Sequence, residues 1–155
     1  MLFRSEHLDR RVAPAKVQMM VQDHPANALL LIDVDHFKRI NDEHGHDVGD
    51  AVLCRLVEVV STRKRSGDLL FRTGGEEFVL LLPQTLPEAA LRVAEDLRQR
   101  LAQAELLPGR SVTVSIGVSA LAPGQTAKAW TKAADQALYE AKRQGRNCVV
   151  VAEPA

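Results

Sequence analysis

Apolar residues fall in short runs separated by polar, glycine-bearing stretches, and the spacing inside each run distinguishes strand from helix. Ala28–Val34 (ALLLIDV) is densely aliphatic, the pattern of a strand buried on both faces. Asp68–Arg72 (DLLFR) and Glu77–Leu82 (EFVLLL) flank Thr73-Gly74-Gly75-Glu76. Two glycines between apolar runs predict a hairpin, because its tight turn needs positive φ. Ser111–Ser119 alternates, with Val112, Val114, Ile116 and Val118 on one face, and Cys148–Ala152 predicts a short closing strand. Helical spacing marks four other stretches: His7–Gln22, weakened by Pro14; Asp50–Arg63; the run carrying apolar residues at 90, 93, 94, 97 and 101; and Ala127–Arg143. Thr85-Leu86-Pro87-Glu88 fits a capping box for the third of these, and Gly145 stands where a glycine would end the last. His36–Gly49 is polar, bears two glycines and reads as a loop.

From the first strand onward the order is strand, helix, strand, strand, helix, strand, then a further helix and strand. That order predicts an α+β fold: a ferredoxin-like βαββαβ palm on a central, mostly antiparallel sheet, with an N-terminal helix and a C-terminal helix–strand extension. In this topology the third strand inserts between the first two, antiparallel to both. The end of the first strand, with Asp33 and Asp35, then lies beside the start of the third, with Gly74-Gly75-Glu76-Glu77. Four carboxylates are expected at one edge.

Composition narrows the reading. The 155 residues suit one domain, and 46% hydrophobic with 26% charged residues is globular composition. Twenty basic residues balance twenty acidic ones, a poor basis for sequence-independent binding along nucleic acid, and no nucleic-acid partner is expected. Apolar runs are far shorter than the roughly 20 residues of a membrane helix. Cys54 and Cys148 lie in apolar stretches and read as buried thiols of a reducing compartment, which predicts a cytoplasmic location.

Clustered carboxylates repel one another unless a cation or proton joins them, and oxygen-only ligands favour hard cations such as Mg²⁺. Two such ions can stabilise the attacking and leaving oxygens of an in-line phosphoryl displacement. Lys38 and backbone amides of the following loop are possible phosphate partners, and Gly74 and Gly75 would let a nucleotide approach the backbone. Taken singly, each feature has a mundane reading: solvated turn carboxylates, ordinary hairpin glycines, Lys142 complementing a helix dipole. His44 and His46 lack partners at zinc-ligand spacing. Together, the acidic edge, the glycines and the basic loop point to metal-dependent nucleotidyl transfer.

At Gly74-Gly75-Glu76-Glu77-Phe78 the chain resembles the GGDEF family of diguanylate cyclases, in the GGEEF variant. The pentapeptide arrives with Asp33-Val-Asp35-His-Phe37-Lys38-Arg-Ile-Asn41-Asp42, Gly45-His46-Asp47-Val-Gly49-Asp50, Ser115-Ile-Gly117-Val118, and Ala134-Asp135 through Leu138-Tyr139-Glu-Ala-Lys142 to Gly145-Arg146-Asn147, in the family's order and spacing. The resemblance implies an enzyme that joins two GTP molecules into cyclic di-GMP with release of two pyrophosphates. It implies two Mg²⁺ ions per site, with Mn²⁺ as an alternative. Asp33 matches the metal aspartate, the Val34 carbonyl a backbone ligand, and Glu76 the second metal carboxylate. Glu77 matches the neighbouring acidic residue, given a base or metal-supporting role. Asn41 and Asp50 match the pair that reads the guanine edge, Phe37 and Lys38 the phosphate-holding loop, and Lys142 and Arg146 the basic pair on the triphosphate tail. His46 and Gly75 fall in the same blocks and are expected at the substrate.

The resemblance further implies a C₂ homodimer in which each domain brings one GTP. It also implies product inhibition through an RxxD element, Arg65-Ser66-Gly67-Asp68, completed by a second arginine for which Arg92, Arg98 and Arg100 are candidates. At the N-terminus Leu2-Phe3-Arg4-Ser5 stands where the family carries L-x-N-R, and the preceding D-x-L-T is missing. This reads as a single domain over 1–155, cut from a longer protein with an upstream sensor or dimerising module, the parent free or tethered to the inner membrane. Two other readings compete: a cyclic di-GMP receptor with vestigial catalysis, which an intact GGEEF disfavours, and a cyclase of altered base choice, which Asp50 disfavours.

Overall fold

Every residue of Ala28–Val34 (β1) is buried, as its dense aliphatic run predicts and with Asp33 included, and β1 forms the middle of a five-stranded sheet. The computed structural model describes residues 12–23 and 26–153. The other strands are Leu69–Gly74 (β2), Glu77–Leu82 (β3), Val114–Ala120 (β4) and Val149–Val151 (β5), in the spatial order β2-β3-β1-β4-β5. β3 runs antiparallel to both β1 and β2, β4 is antiparallel to β1, and β5 is parallel to β4. This is the expected ferredoxin-like palm with its helix–strand extension.

Alternation along β1 sorts the core into two layers. Leu30, Ile32 and Val34 face helices His46–Arg63 (α3) and Pro87–Gln103 (α4), joined by Phe37 and Ile40 of the short helix Phe37–His44 (α2). Leu29 and Leu31 face Ala127–Arg143 (α5) through Trp130, Ala134 and Leu138, with Val17 of Val12–Asp23 (α1) on the same side. By this parity Asp33 belongs to the α5 face. Trp130 is wholly buried, and its indole N–H donates to the Ser119 carbonyl at 2.8 Å, which removes the cost of burying that polar group.

β4 and α5 approach so closely that a side chain at Gly117 would stand 2.3 Å from the Ala134 carbonyl oxygen and 2.5 Å from the Leu138 nitrogen. α5 begins on Thr126, whose hydroxyl accepts from the Ala129 N–H, and ends at Gly145 as its sequence predicts. The Arg146 N–H reaches the Ala141 carbonyl and the Gly145 N–H the Lys142 carbonyl, a Schellman pair that satisfies the last turn.

Three local expectations are corrected. The stretch 36–49 is mostly helical: α2 and α3 meet at Gly45 (φ +91), so α3 begins four residues before the expected Asp50. The capping box does not form, because α4 starts on Pro87 with Leu86 as N-cap and no side-chain cap. Thr85 instead donates its hydroxyl to the Pro83 carbonyl and accepts from Arg65. In the hairpin, β2 extends to Gly74, and the turn is only Gly75 and Glu76; of its two glycines Gly75 alone takes positive φ (+48). The expected N-terminal segment, including Leu2 to Ser5 and the start of the predicted helix at His7, lies outside the described residues. Among the described residues no helix is long and apolar enough to cross a membrane.

Candidate active site at the end of the first strand

Asp33 and Glu77 are direct partners in the β1–β3 ladder, which sets both carboxylates on the α5 side of the sheet. Glu76 occupies the adjoining turn, and its carbonyl accepts from the Val34 N–H at 3.3 Å, tying the turn to the end of β1. From the other side Lys142, in the last turn of α5, donates to Asp33 Oδ2 at 2.9 Å. Thr73 donates to Glu77 Oε1 at 3.1 Å.

Burial, more than any neighbour, pushes the Asp33 carboxyl up to about 6 from 3.8; Lys142 opposes the rise, and Glu76 and Glu77 reinforce it. Glu77 is also raised, again mainly by burial, with Thr73 opposing and Asp135 adding repulsion. Such a site holds more negative charge than its single lysine offsets. Among the described residues no three acidic, histidine or cysteine side chains close into a ready ligand set. The donor chemistry nevertheless fits a hard divalent cation: Asp33 and Glu76 carboxylates with the Val34 carbonyl are oxygen donors only, and they lie where extra positive charge relieves repulsion.

Asp35 does not join this cluster. It is buried, and its carboxylate accepts from Thr113 Oγ1 and Ser115 Oγ, each at 2.6 Å, and from the Asn147 N–H at 3.0 Å. Its role is to bind β1 to β4 and to the turn after α5. In that turn three successive residues, Gly145, Arg146 and Asn147, have positive φ (+117, +67 and +49). This conformation needs outside support at the two non-glycine positions, and the Asp35 bond to Asn147 provides it. Arg146, between Gly145 and Asn147, is exposed.

Beyond β1, Phe37 and Lys38 open α2 instead of sitting in a loop. The first intrahelical bond there is Ile40 N–H to His36 O, so the amides of residues 37–39 are left at the positive end of a helix, as anion binding requires. The Phe37 side chain is core. Lys38 is fully exposed and pairs with Asp42 at 2.9 Å, the hydrogen bond that raises its pKa. Asn41, near the end of α2, packs against Gly49 of α3, the residue before the exposed Asp50. His46 is exposed at the start of α3.

Arg65 and Asp68 pair with each other: guanidinium to Asp68 Oδ1 at 2.9 Å, and Arg65 N–H to Oδ2 at 2.8 Å. Asp68 is buried whereas the Arg65 side chain is 57% exposed. Of the suggested helper arginines, Arg98 is bonded to Glu95 and Asn147, and Arg100 to Asp96. Sequence reasoning missed the parts played by Thr73, Thr113 and Ser115, uncharged residues whose partners are set only by strand pairing.

A family model described as diguanylate cyclase, GGDEF domain, matches residues 6–148. The chain is 48% identical over 125 residues to diguanylate cyclase DgcM of Escherichia coli K12, covering 81% of this chain and 30% of that protein. It is 47% identical over 132 residues to the response regulator PleD of Caulobacter vibrioides, covering 81% and 29%. Among solved structures, the active GGEEF domain of a diguanylate cyclase from Vibrio cholerae superposes with a TM-score of 0.88 at 33% identity, over 95% of this chain and 98% of that one. The GGDEF domain of DgcB from Caulobacter crescentus, in complex with c-di-GMP, superposes at 0.89 with 26% identity, over 99% and 97%. The palm, the GGEEF turn and these matches define the class as a GGDEF domain. This chain belongs to the diguanylate cyclase GGDEF-domain family. It spans about 30% of the length of the two curated relatives named.

Proposed function

We propose that this domain condenses two GTP molecules into cyclic di-GMP. The observation that carries the reading is the pairing of Asp33 with Glu77, with Glu76 in the adjoining turn, beside the open N-terminus of α2. The amides of residues 37–39 take the β- and γ-phosphates with Lys38, and Lys142 and Arg146 approach the triphosphate from the α5 side. Asn41 and Asp50 hold the guanine, Asp50 accepting from its N1–H and N2–H₂, while His46 and Gly75 border the nucleotide. Asp33, Glu76 and the Val34 carbonyl hold Mg²⁺, or Mn²⁺ in its place. When bound, the ions neutralise charge on the triphosphate and on the incoming 3′-oxygen. Glu77, whose burial raises its pKa, would serve as the base that takes the proton of that hydroxyl.

One domain carries one nucleotide, so the reaction needs two copies facing each other about a two-fold axis, the 3′-hydroxyl of each GTP attacking the α-phosphorus of the other. In a longer parent protein an upstream module would set how often the copies meet. Product inhibition is assigned to Arg65, whose exposed guanidinium can turn to an anionic nucleotide while its backbone still holds Asp68. The test is incubation of concentrated protein with GTP and Mg²⁺, followed by chromatography for cyclic di-GMP and pyrophosphate. Wild type should form both, and Asp33→Ala and Glu77→Ala should form neither. A wild-type protein that binds cyclic di-GMP yet makes none at high concentration would instead establish a receptor.

A further inference from the structure

Asn41 Oδ1 is buried and has no hydrogen-bond partner among the described residues, an arrangement that ordinarily costs stability. The oxygen occupies the space a side chain at position 49 would need: a Cβ on Gly49 would lie 1.8 Å from Asn41 Oδ1, 3.0 Å from Asn41 Cγ and 3.2 Å from Phe37 Cζ. Gly49 sits in the first turn of α3, its N–H donating to the Gly45 carbonyl, and its φ is not one that calls for glycine. Backbone conformation therefore does not explain this residue. The notch it leaves does, because the Asn41 amide fills it.

We infer that Gly49 is a positioning residue for base recognition: by accepting one side of the Asn41 amide into the helix α3 surface, it fixes the plane of that amide and turns its Nδ2 toward the purine. Nδ2 has no partner among the described residues, so it is the amide atom left to donate to a guanine acceptor. Asp50 follows Gly49 directly, so one helical step sets both the donor from Asn41 and the acceptor carboxylate. A methyl group at position 49 meets the Asn41 amide head at 1.8 Å and Phe37 Cζ at 3.2 Å, so the amide is the group that has to move. The side chain must then leave its rotamer, and the donor leaves the base. This inference rests on the reading of Asn41 and Asp50 as the guanine site.

The test is a double-mutant cycle on the whole chain: wild type, Asn41→Ala, Gly49→Ala and the double variant. Calorimetric titration with a non-hydrolysable GTP analogue and with the matching ATP analogue, both with Mg²⁺, reads affinity and base preference together. Each single variant should bind the GTP analogue about tenfold more weakly, the loss of roughly one hydrogen bond, with a reduced preference over the ATP analogue. The double variant should bind no more weakly than Asn41→Ala, because the new methyl then occupies space already vacated. Losses that multiply in the double variant, a Gly49→Ala protein that binds like wild type, or equal weakening of both analogues would overturn the inference. If Gly49→Ala does not fold, comparison of the double variant with Asn41→Ala still decides, since in that background the methyl has only Phe37 Cζ, 3.2 Å away, to displace. A wild-type protein that binds neither analogue removes the guanine reading itself, and the inference with it; binding without coupling removes the inference alone.

Discussion

Lys142 donates to Asp33 at 2.9 Å across 109 positions of sequence, joining the end of α5 to the end of β1. The pair leaves Asp33 imperfectly satisfied, since its carboxyl still titrates near 6 instead of 3.8. Between those two values the folded protein holds a proton that the unfolded chain has released, so stability falls as pH rises through this window and the cost persists above it. Asp33→Asn should therefore melt higher than wild type at pH 8, by about 3 °C, with the difference shrinking as pH falls through 6 towards 4. Melting curves at pH 8 and pH 4.5 test this; a stabilisation that is equal at both would assign the effect to something other than the buried charge.

Asp35 predicts the opposite behaviour. Its removal leaves two hydroxyls and the Asn147 amide without their acceptor in a buried setting. Asp35→Ala should cost about 2–4 kcal/mol in a urea denaturation series. Hydrogen exchange at the Asn147 amide should accelerate in Asp35→Asn even where global stability is retained, because that amide is what the second carboxylate oxygen holds.

Gly117→Ala should be among the most damaging single changes in the sheet. The added methyl would meet backbone atoms of α5, not movable side chains, so α5 must lift from β4. We expect a loss of about 3 kcal/mol or more, seen as a collapse of soluble yield or a Tm lowered by roughly 6 °C or more. Normal yield and an unchanged Tm would show that α5 shifts without cost.

Arg65→Ala should act in two separable ways. Loss of the guanidinium removes a charged donor from buried Asp68 and leaves it the Arg65 backbone N–H, a destabilisation of about 1–3 kcal/mol. If Arg65 binds product as proposed, the variant should also be inhibited by cyclic di-GMP at least about tenfold more weakly, at a temperature where it is fully folded. Destabilisation with unchanged inhibition would confine Arg65 to the ion pair.

Much of this fold can be read from the chain because its signals are redundant. β1 is aliphatic on both faces apart from Asp33, and α5 has a periodic face, a threonine cap and a terminal glycine that all agree. α2 escaped because FKRINDEH buries only Phe37 and Ile40, two anchors one turn apart, leaving a polar stretch that mimics a loop. The Thr85 cap failed through a tertiary competitor: Arg65, distant in sequence, claims the hydroxyl. Pairing of Asp33 with Glu77 followed from strand order alone. The separation of Asp35 from them did not, because it depends on two β4 hydroxyls and a turn amide whose positions no local pattern encodes.

The β2–β3 hairpin closes on two residues, and side chains of a strand alternate strictly between faces. A single codon gained or lost within that turn would exchange Glu77 with a neighbour, presenting Phe78 or a turn residue to the α5 side and driving a carboxylate into the layer beneath α3 and α4. Length at this point is therefore as constrained as chemistry.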